Sequence, residues 1–412
     1  MGKIRKLVTS LLPGIFLFGF TVGTGSVTAM AKAGADYGMS LLWALFISCA
    51  ITYFMINLYG RFTLITGETA LQAFRNHLHP AVGIFFIVTL TAHVSGSVIG
   101  VMGIISDVCS IWSGNFITGG VPPVYFAIVF IALVYGIFLT GKTRAFENIL
   151  AVIVGIMALC FLINFFILTP PPLEILKGFV PRLPGTGTGE SPYLVIASMV
   201  GTTVFSGLFI LRTTLVKEAG WTQADFKIQK RDALFSGLMM FVVSASIMAA
   251  AAASMYPGHL QLNEVSEMIH LLEPMAGPFA VAIFAMGILA AGVSSQFPNV
   301  ALLPWMLDDY QQNKPNMKRT RYRIIVLLIS LLGLIVPVFH ARPIAVMLVS
   351  QAFGALVLPA TVFCILYLGN KKRLMGSQTF SYHTNLVLGA ILIFALLMSY
   401  MSYTGILGSL RF

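Results

Sequence analysis

Two short stretches concentrate the residues able to hold a solute, Gly23-Thr24-Gly25-Ser26 and Gly201-Thr202-Thr203-Val204-Phe205-Ser206-Gly207. Each sets glycines and hydroxyls inside a long apolar run that would otherwise be continuous helix. Glycine lets a ligand approach the main chain closely. Where a helix in hydrocarbon is interrupted, its freed N–H and C=O groups need partners from protein or from a wet cavity. Half-helix N-termini carry partial positive charge and free amides, a setting that suits a carboxylate or another anionic group. Phe205 adds a ring face for the apolar part of a solute. The plainer reading gives Phe205 to ordinary helix packing and the hydroxyls of Ser26, Thr202, Thr203 and Ser206 to the unwound backbone itself.

Two further positions have chemistry of their own. His93 and Ser97 are four residues apart and share one helix face. A buried imidazole can titrate near neutral pH, so His93 is a candidate proton carrier, the alternative being a neutral ring bonded to a neighbouring helix. Arg212 lies near the end of the sixth apolar run, where it either faces a vestibule and attracts an anion or extends to the membrane interface.

The elements that must position these groups are membrane spans. The chain of 412 residues is 58% hydrophobic and 9% charged, and it repeatedly carries about twenty apolar residues in a row, enough to cross a hydrocarbon core. The pattern predicts eleven spans, near 9–31, 41–60, 81–106, 123–140, 147–168, 192–216, 233–255, 275–297, 322–340, 344–368 and 384–405. The first five and the next five pair as two inverted halves, about 9–168 and 192–368, with their breaks in matching first and sixth spans. Interrupted helices at corresponding positions of two repeats point to a transporter. The chain is thus expected to be one transmembrane domain over 1–412, with 384–405 as an added span. The outer connector formed by Pro170-Pro171-Pro172 and Pro181 to Gly189 is expected to be irregular, and Tyr256 to Glu273 to be a loop with a short helix.

Most of the 25 Lys and Arg fall in alternate loops, which puts the N-terminus in the cytoplasm, the C-terminus outside and the protein in the plasma membrane. Lys32 is counted among the outer loop residues. The net charge of +11 is spread over short segments instead of one stripe, so nucleic acid is not an expected partner. The four cysteines sit in or beside separate spans without metal-ligand spacing and read as small core residues. No Gly-x-Ser-x-Gly, His-Glu-x-x-His or phosphate loop is present, so neither enzyme chemistry nor a cofactor is expected.

Ala33-Gly34-Ala35-Asp36-Tyr37-Gly38-Met39-Ser40-Leu41-Leu42-Trp43, Arg61 and Thr66-Gly67-Glu68 make the chain resemble the NRAMP family (natural resistance-associated macrophage protein) of proton-coupled divalent-metal transporters. Phe146-Glu147, Gly292 with Ser294-Ser295, and Ser350-Gln351 before Leu358-Pro359 extend the likeness over the whole chain. The resemblance implies an all-α leucine-transporter-like fold, a 5+5 inverted repeat with broken first and sixth helices and an eleventh span, working by alternating access.

The chain departs from that family where its metal chemistry lies. The family's Asp-Pro-Gly-Asn falls on Gly23 to Ser26, its Met-Pro-His on Phe205, Ser206 and Gly207, and a later histidine on Arg212. Its third-span Glu falls on Ser97, the Asp three positions earlier on Val94, and the glutamine of Gly-Gln-Ser-Ser on Val293. Gln351 is retained in the binding region. Every one of the 14 carboxylates is placed in a loop or at a span end. Hard divalent ions take carboxylate-containing oxygen sites and softer ions want Cys, Met or His, and the breaks contain none of these. A bare double charge in such a site is strongly unfavourable.

The expectation is therefore a divergent NRAMP-like secondary transporter, monomeric, with a substrate site at Gly23, Thr24, Gly25, Ser26, Thr202, Thr203, Phe205, Ser206, Gly207 and Gln351 and no bound metal cofactor. His93, Ser97 and Arg212 form a candidate coupling pathway, with protons the candidate coupling ion. A small polar, zwitterionic or anionic organic solute is favoured. A partly hydrated divalent cation is the alternative, and a sensor or scaffold that no longer transports is a third.

Overall fold

Among the described residues every long element is a helix, because the apolar runs supply no strand alternation and a backbone in hydrocarbon bonds most economically to itself. The computed structural model describes residues 23–140, 170–185, 191–271, 280–313, 316 and 318–409, with isolated positions between 155 and 166. The expected first half of span one, the fifth span and Cys160 lie outside the described residues.

The helices are α1 (Thr24–Tyr37), α2 (Leu42–Thr66), α3 (Pro80–Ser113), α4 (Pro123–Thr140), α5 (Pro192–Thr203), α6 (Ser206–Glu218), α7 (Phe226–Ser254), α8 (Ala280–Tyr310), α9 (Thr320–Leu331), α10 (Pro343–Gly369) and α11 (Tyr382–Ser409). Among the described residues nine segments are long and apolar enough to cross a bilayer, with α5 and α6 together making one of them. Gly38 and Gly67, at φ of +59° and +70°, end α1 and α2 in conformations that favour glycine. α3 begins at Pro80, with the His79 ring accepting from the Ala81 amide at 3.2 Å.

The hydrophobic window of the α5–α6 segment is wholly buried, whereas that of α4 is 22% and that of α11 33% buried, so the broken helix is central and the other two are peripheral. α1 packs on α7 and α5, α3 on α8 and α10, and α5 on α10 and α11. Glycines set the closest crossings. An added Cβ at Gly96 would lie 2.8 Å from Ser350 Oγ, and one at Gly100 would lie 3.0 Å from the Met347 Cα. These two residues let α3 approach α10.

Three expectations need correction. Thr24, Gly25 and Ser26 are not unwound; they form the first turn of α1, with Gly23 as its extended N-cap. The eighth span, expected near 275–297, runs on through Pro298 and Pro304 to Tyr310. Pro172–Gly178 forms a short helix within the connector expected to be irregular, because a proline suits a helix's first positions. The Tyr256–Glu273 loop holds 3-10 turns at Tyr256–Gly258 and Val265–Leu271.

Candidate functional site

The second break is only two residues long. Val204 (φ −102°, ψ 50°) and Phe205 (φ −72°, ψ 120°) leave helical geometry between α5 and α6. Neither Gly23 at the start of α1 nor Phe205 at the start of α6 makes a side-chain cap bond, so the amides of both first turns lack that partner. Both ends open on one small chamber, lined by Gly23, Gly25, Ser26, His93, Ser97, Val101, Thr202, Phe205, Ser295, Asn299 and Gln351. Its volume of about 40 Å³ is room for roughly three waters at 10–15 Å³ each. A larger solute needs the surrounding helices to part.

α3 contributes His93, Ser97 and Val101, one residue per turn along a single face. The His93 imidazole stacks on the Phe205 ring, centroids 4.6 Å apart and planes 24° from parallel. Ser350 Oγ donates to the His93 carbonyl at 3.2 Å, and His93 Nδ1 is buried without a hydrogen-bond partner. Ser97 Oγ accepts from Asn299 Nδ2 at 3.3 Å and from Gln351 Nε2 at 3.5 Å, tying α3, α8 and α10 together beside the chamber. Gln351 Nε2 also lies 3.3 Å from Met347 Sδ, and its amide packs where a Cβ on Gly25 would stand.

The expected site residues thus divide. Gly23, Gly25, Ser26, Thr202, Phe205 and Gln351 line the chamber with His93 and Ser97. Thr203 is turned away: its hydroxyl donates to Met199 O at 2.8 Å and its carbonyl accepts from Thr52 Oγ1 at 2.7 Å. Ser206 Oγ accepts from Thr361 Oγ1 at 2.7 Å, and Gly207 packs under the Phe205 ring. Thr24 Oγ1 is buried beside Gly292 and has no partner. Asn299 and Ser295 were missed by sequence reasoning. Asn299 lies two residues past the expected end of the eighth span, in a helix that continues to Tyr310.

Arg212 belongs to neither a vestibule nor the interface. It is completely buried on α6, where its guanidinium bonds the equally buried Asp232 of α7, donates to the Gln229 carbonyl at 3.3 Å and lies 5.4 Å from the Trp221 ring. Lys32 is likewise no loop residue. It is 1% exposed within α1, 2.9 Å from Asp36 and 2.9 Å from Asn263 Oδ1. Both cations are held by a carboxylate, the condition under which buried charge is tolerated.

Recesses flank the chamber toward opposite ends of α3. One, of about 240 Å³, includes Asp107, Glu264 and Arg342. The other, of about 720 Å³, includes Thr69, Gln72, Lys217 and Asp309. There the Asp309 carboxylate accepts from Thr69 Oγ1 at 2.8 Å and from Gln72 Nε2 at 2.9 Å, while Lys217 Nζ donates to Gln72 Oε1 at 2.8 Å. Among the described residues no three His, Cys, Asp or Glu side chains are grouped to hold a metal ion.

Known structures share this architecture. The manganese transporter of Eremococcus coleocola, in complex with an aromatic bis-isothiourea substituted compound, superposes with a TM-score of 0.79 at 15% identity, over 98% of this chain and 87% of that one. The inward-facing conformation of Mhp1 gives 0.62 at 17% identity over 98% and 88%, which places the fold in the leucine-transporter-like class. In sequence, the divalent metal cation transporter MntH of Acidiphilium cryptum is 25% identical over 373 residues, covering 86% of this chain and 80% of that protein. The natural resistance-associated macrophage protein 2 homolog of Dictyostelium discoideum is 22% identical over 387 residues, and the chain spans 60% of its length. The profile of the natural resistance-associated macrophage protein-like family matches residues 15–404, nearly the full chain, and the protein belongs to that family.

Proposed function

We propose that this protein is a secondary transporter that works by alternating access around the central chamber, and that its cargo is a small organic solute carrying an anionic group. One observation carries the choice of cargo: two helix N-termini without side-chain caps open on a chamber whose lining, among the described residues, holds no carboxylate and no thiolate. First-turn amides and the helix dipole favour negative charge there. A divalent cation in the same place would meet the positive ends of two helices and only neutral oxygens. Hydroxyls and amides of Ser26, Ser97, Thr202, Asn299 and Gln351 supply directional hydrogen bonds, and Phe205 and Val101 an apolar wall. The loop cations support an N-terminus in the cytoplasm of a plasma-membrane protein.

The second reading is divalent-metal transport, favoured by what the relatives are called. In that case neutral oxygens around the chamber would hold an ion that keeps several waters, as Mg²⁺ does. Proteoliposome uptake separates the two. Radiolabelled L-lactate, pyruvate, glycine and L-proline are compared with Mn²⁺ at matched pH. Saturable uptake of a carboxylate with no Mn²⁺ uptake is expected. Saturable Mn²⁺ uptake with none of the four organic probes would overturn the organic cargo.

A further inference from the structure

We propose that His93 takes up one proton with each anionic solute, so that solute and proton occupy the chamber together as a neutral pair; this rests on the anionic cargo argued above. The geometry begins with the placement of His93 in the same chamber as the two helix N-termini. Its Nδ1 is buried and makes no hydrogen bond, and Ser350 holds its main chain in place. A buried ring nitrogen left without a hydrogen-bond partner is an exception that calls for a role.

Among the described residues no other titratable group lines the chamber. The charged residues of the helices packed on α3 lie outside the chamber lining, Arg321 and Arg323 of α9 included. On α1, Lys32 and Asp36 pair with each other. On α8, Asp308 bonds Arg319 at 3.0 Å and also Tyr322, while Asp309 bonds Thr69 and Gln72. Tyr310 of α8 packs against Gly83, near the start of α3, Arg342 caps the start of α10, and α4 carries no charged residue. Asp107 of α3 is fourteen residues from His93, about 21 Å along the helix at 1.5 Å per residue.

The physical consequence is a coupling through charge. In a chamber of low dielectric, an anion alone or an imidazolium alone is costly, whereas both together attract strongly and cancel. The proton comes from bulk solvent onto the imidazole as the anion enters and returns to solvent on the other side. Phe205, stacked on that ring, offers its face to the cationic form. Each ligand must therefore raise the affinity of the other by the same factor. Because the pair is neutral, the membrane potential does no work on it.

The test is calorimetric titration of L-lactate and of glycine into the detergent-purified full chain at pH 7, in phosphate and in Tris, whose different ionisation heats reveal proton uptake. Lactate is expected to bind with uptake of about one proton and, over the pH range in which that proton is taken up, to lose about tenfold in affinity per pH unit of increase. Glycine, which brings its own ammonium group, is expected to take up none. His93→Gln and His93→Asn should both abolish lactate-linked proton uptake. Lactate binding without proton uptake in the wild type, or wild-type uptake by a folded His93 variant, overturns the inference while leaving the anionic cargo standing. If none of the four organic probes binds or is transported, the anionic cargo itself fails and the inference with it. Should neither variant fold, histidine ¹⁵N spectra of the wild type decide: an imidazolium signal for His93 that appears with lactate supports the pairing, and an unchanged neutral ring overturns it.

Discussion

The imidazole of His93 and the ring of Phe205 lie face to face, 4.6 Å between centroids, across the join between α3 and the break that separates α5 from α6. A helix that runs unbroken through the bundle is thereby in direct contact with the two residues where the central helix is interrupted. Phe205 also covers Gly207 and is only 5% exposed. Phe205→Ala is expected to destabilise the protein by about 3 kcal/mol through the void it leaves, and Phe205→Leu by less. Thermal unfolding in detergent, followed by tryptophan fluorescence, measures both.

At Gly201 the crowding is of main chain on main chain. A Cβ there would meet the Gln351 carbonyl, with the Gln351 carbonyl carbon at 2.9 Å and the Ala355 nitrogen at 3.2 Å, and backbone cannot swing aside as a side chain can. Gly201→Ala should therefore cost about 1–3 kcal/mol and depress uptake by displacing α10 and Gln351. Gly136→Ala in α4 and Gly389→Ala in α11 meet nothing within 4 Å, and each should be neutral or stabilising by about 0.5–1 kcal/mol. Melting temperatures of the three single variants provide the comparison.

The buried Arg212–Asp232 pair predicts non-additivity. Arg212→Met or Asp232→Leu alone strands one charge among apolar residues, a loss of about 3–5 kcal/mol. The double variant removes both charges and should be more stable than either single one. A double-mutant cycle on unfolding midpoints tests this, and additive losses would rule it out.

Asp309 joins the α2–α3 connector, through Thr69 and Gln72, to the end of α8, and Lys217 at the end of α6 reaches the same Gln72. Asp309→Ala removes the shared acceptor and leaves the buried Gln72 amide and Thr69 hydroxyl short of a partner. We expect this end of the bundle to open more often, so that a cysteine introduced as Leu215→Cys reacts with maleimide several-fold faster in the Asp309→Ala background. Equal labelling rates in the two backgrounds would contradict it.

Ser97 Oγ is the common acceptor for Asn299 and Gln351. Ser97→Ala leaves two buried amide groups without it, at a cost of about 1–3 kcal/mol. Solute affinity should fall more than stability does, because both amides belong to the chamber wall. Binding titrations alongside unfolding curves separate the two effects.

Much of the architecture was legible in the residues because hydrocarbon imposes its demands locally. Span four was placed at 123–140 and is found at Pro123–Thr140, since a run of apolar residues ending in polar ones needs no distant information. The second break was equally visible, as Gly201 to Gly207 interrupts an apolar run that has no other reason to contain such residues. Span eight was placed near 275–297, whereas the helix continues through Pro298 to Tyr310, as a membrane helix surrounded by protein can. That error hid Asn299.

The sequence by itself determined that the chain crosses the membrane many times and that its central helix breaks near Phe205. Only the tertiary structure decided which polar groups share the chamber. Successive helix positions are rotated by about 100°, so Thr202 faces the cavity while Thr203 turns its hydroxyl back on Met199 and its carbonyl toward Thr52. The partner of Arg212 lies on another helix, and the approach of Gln351 to Gly25 depends on how closely α10 can settle on its neighbours. Such rotations and distances come from packing between segments far apart in the chain, and no local pattern contains them.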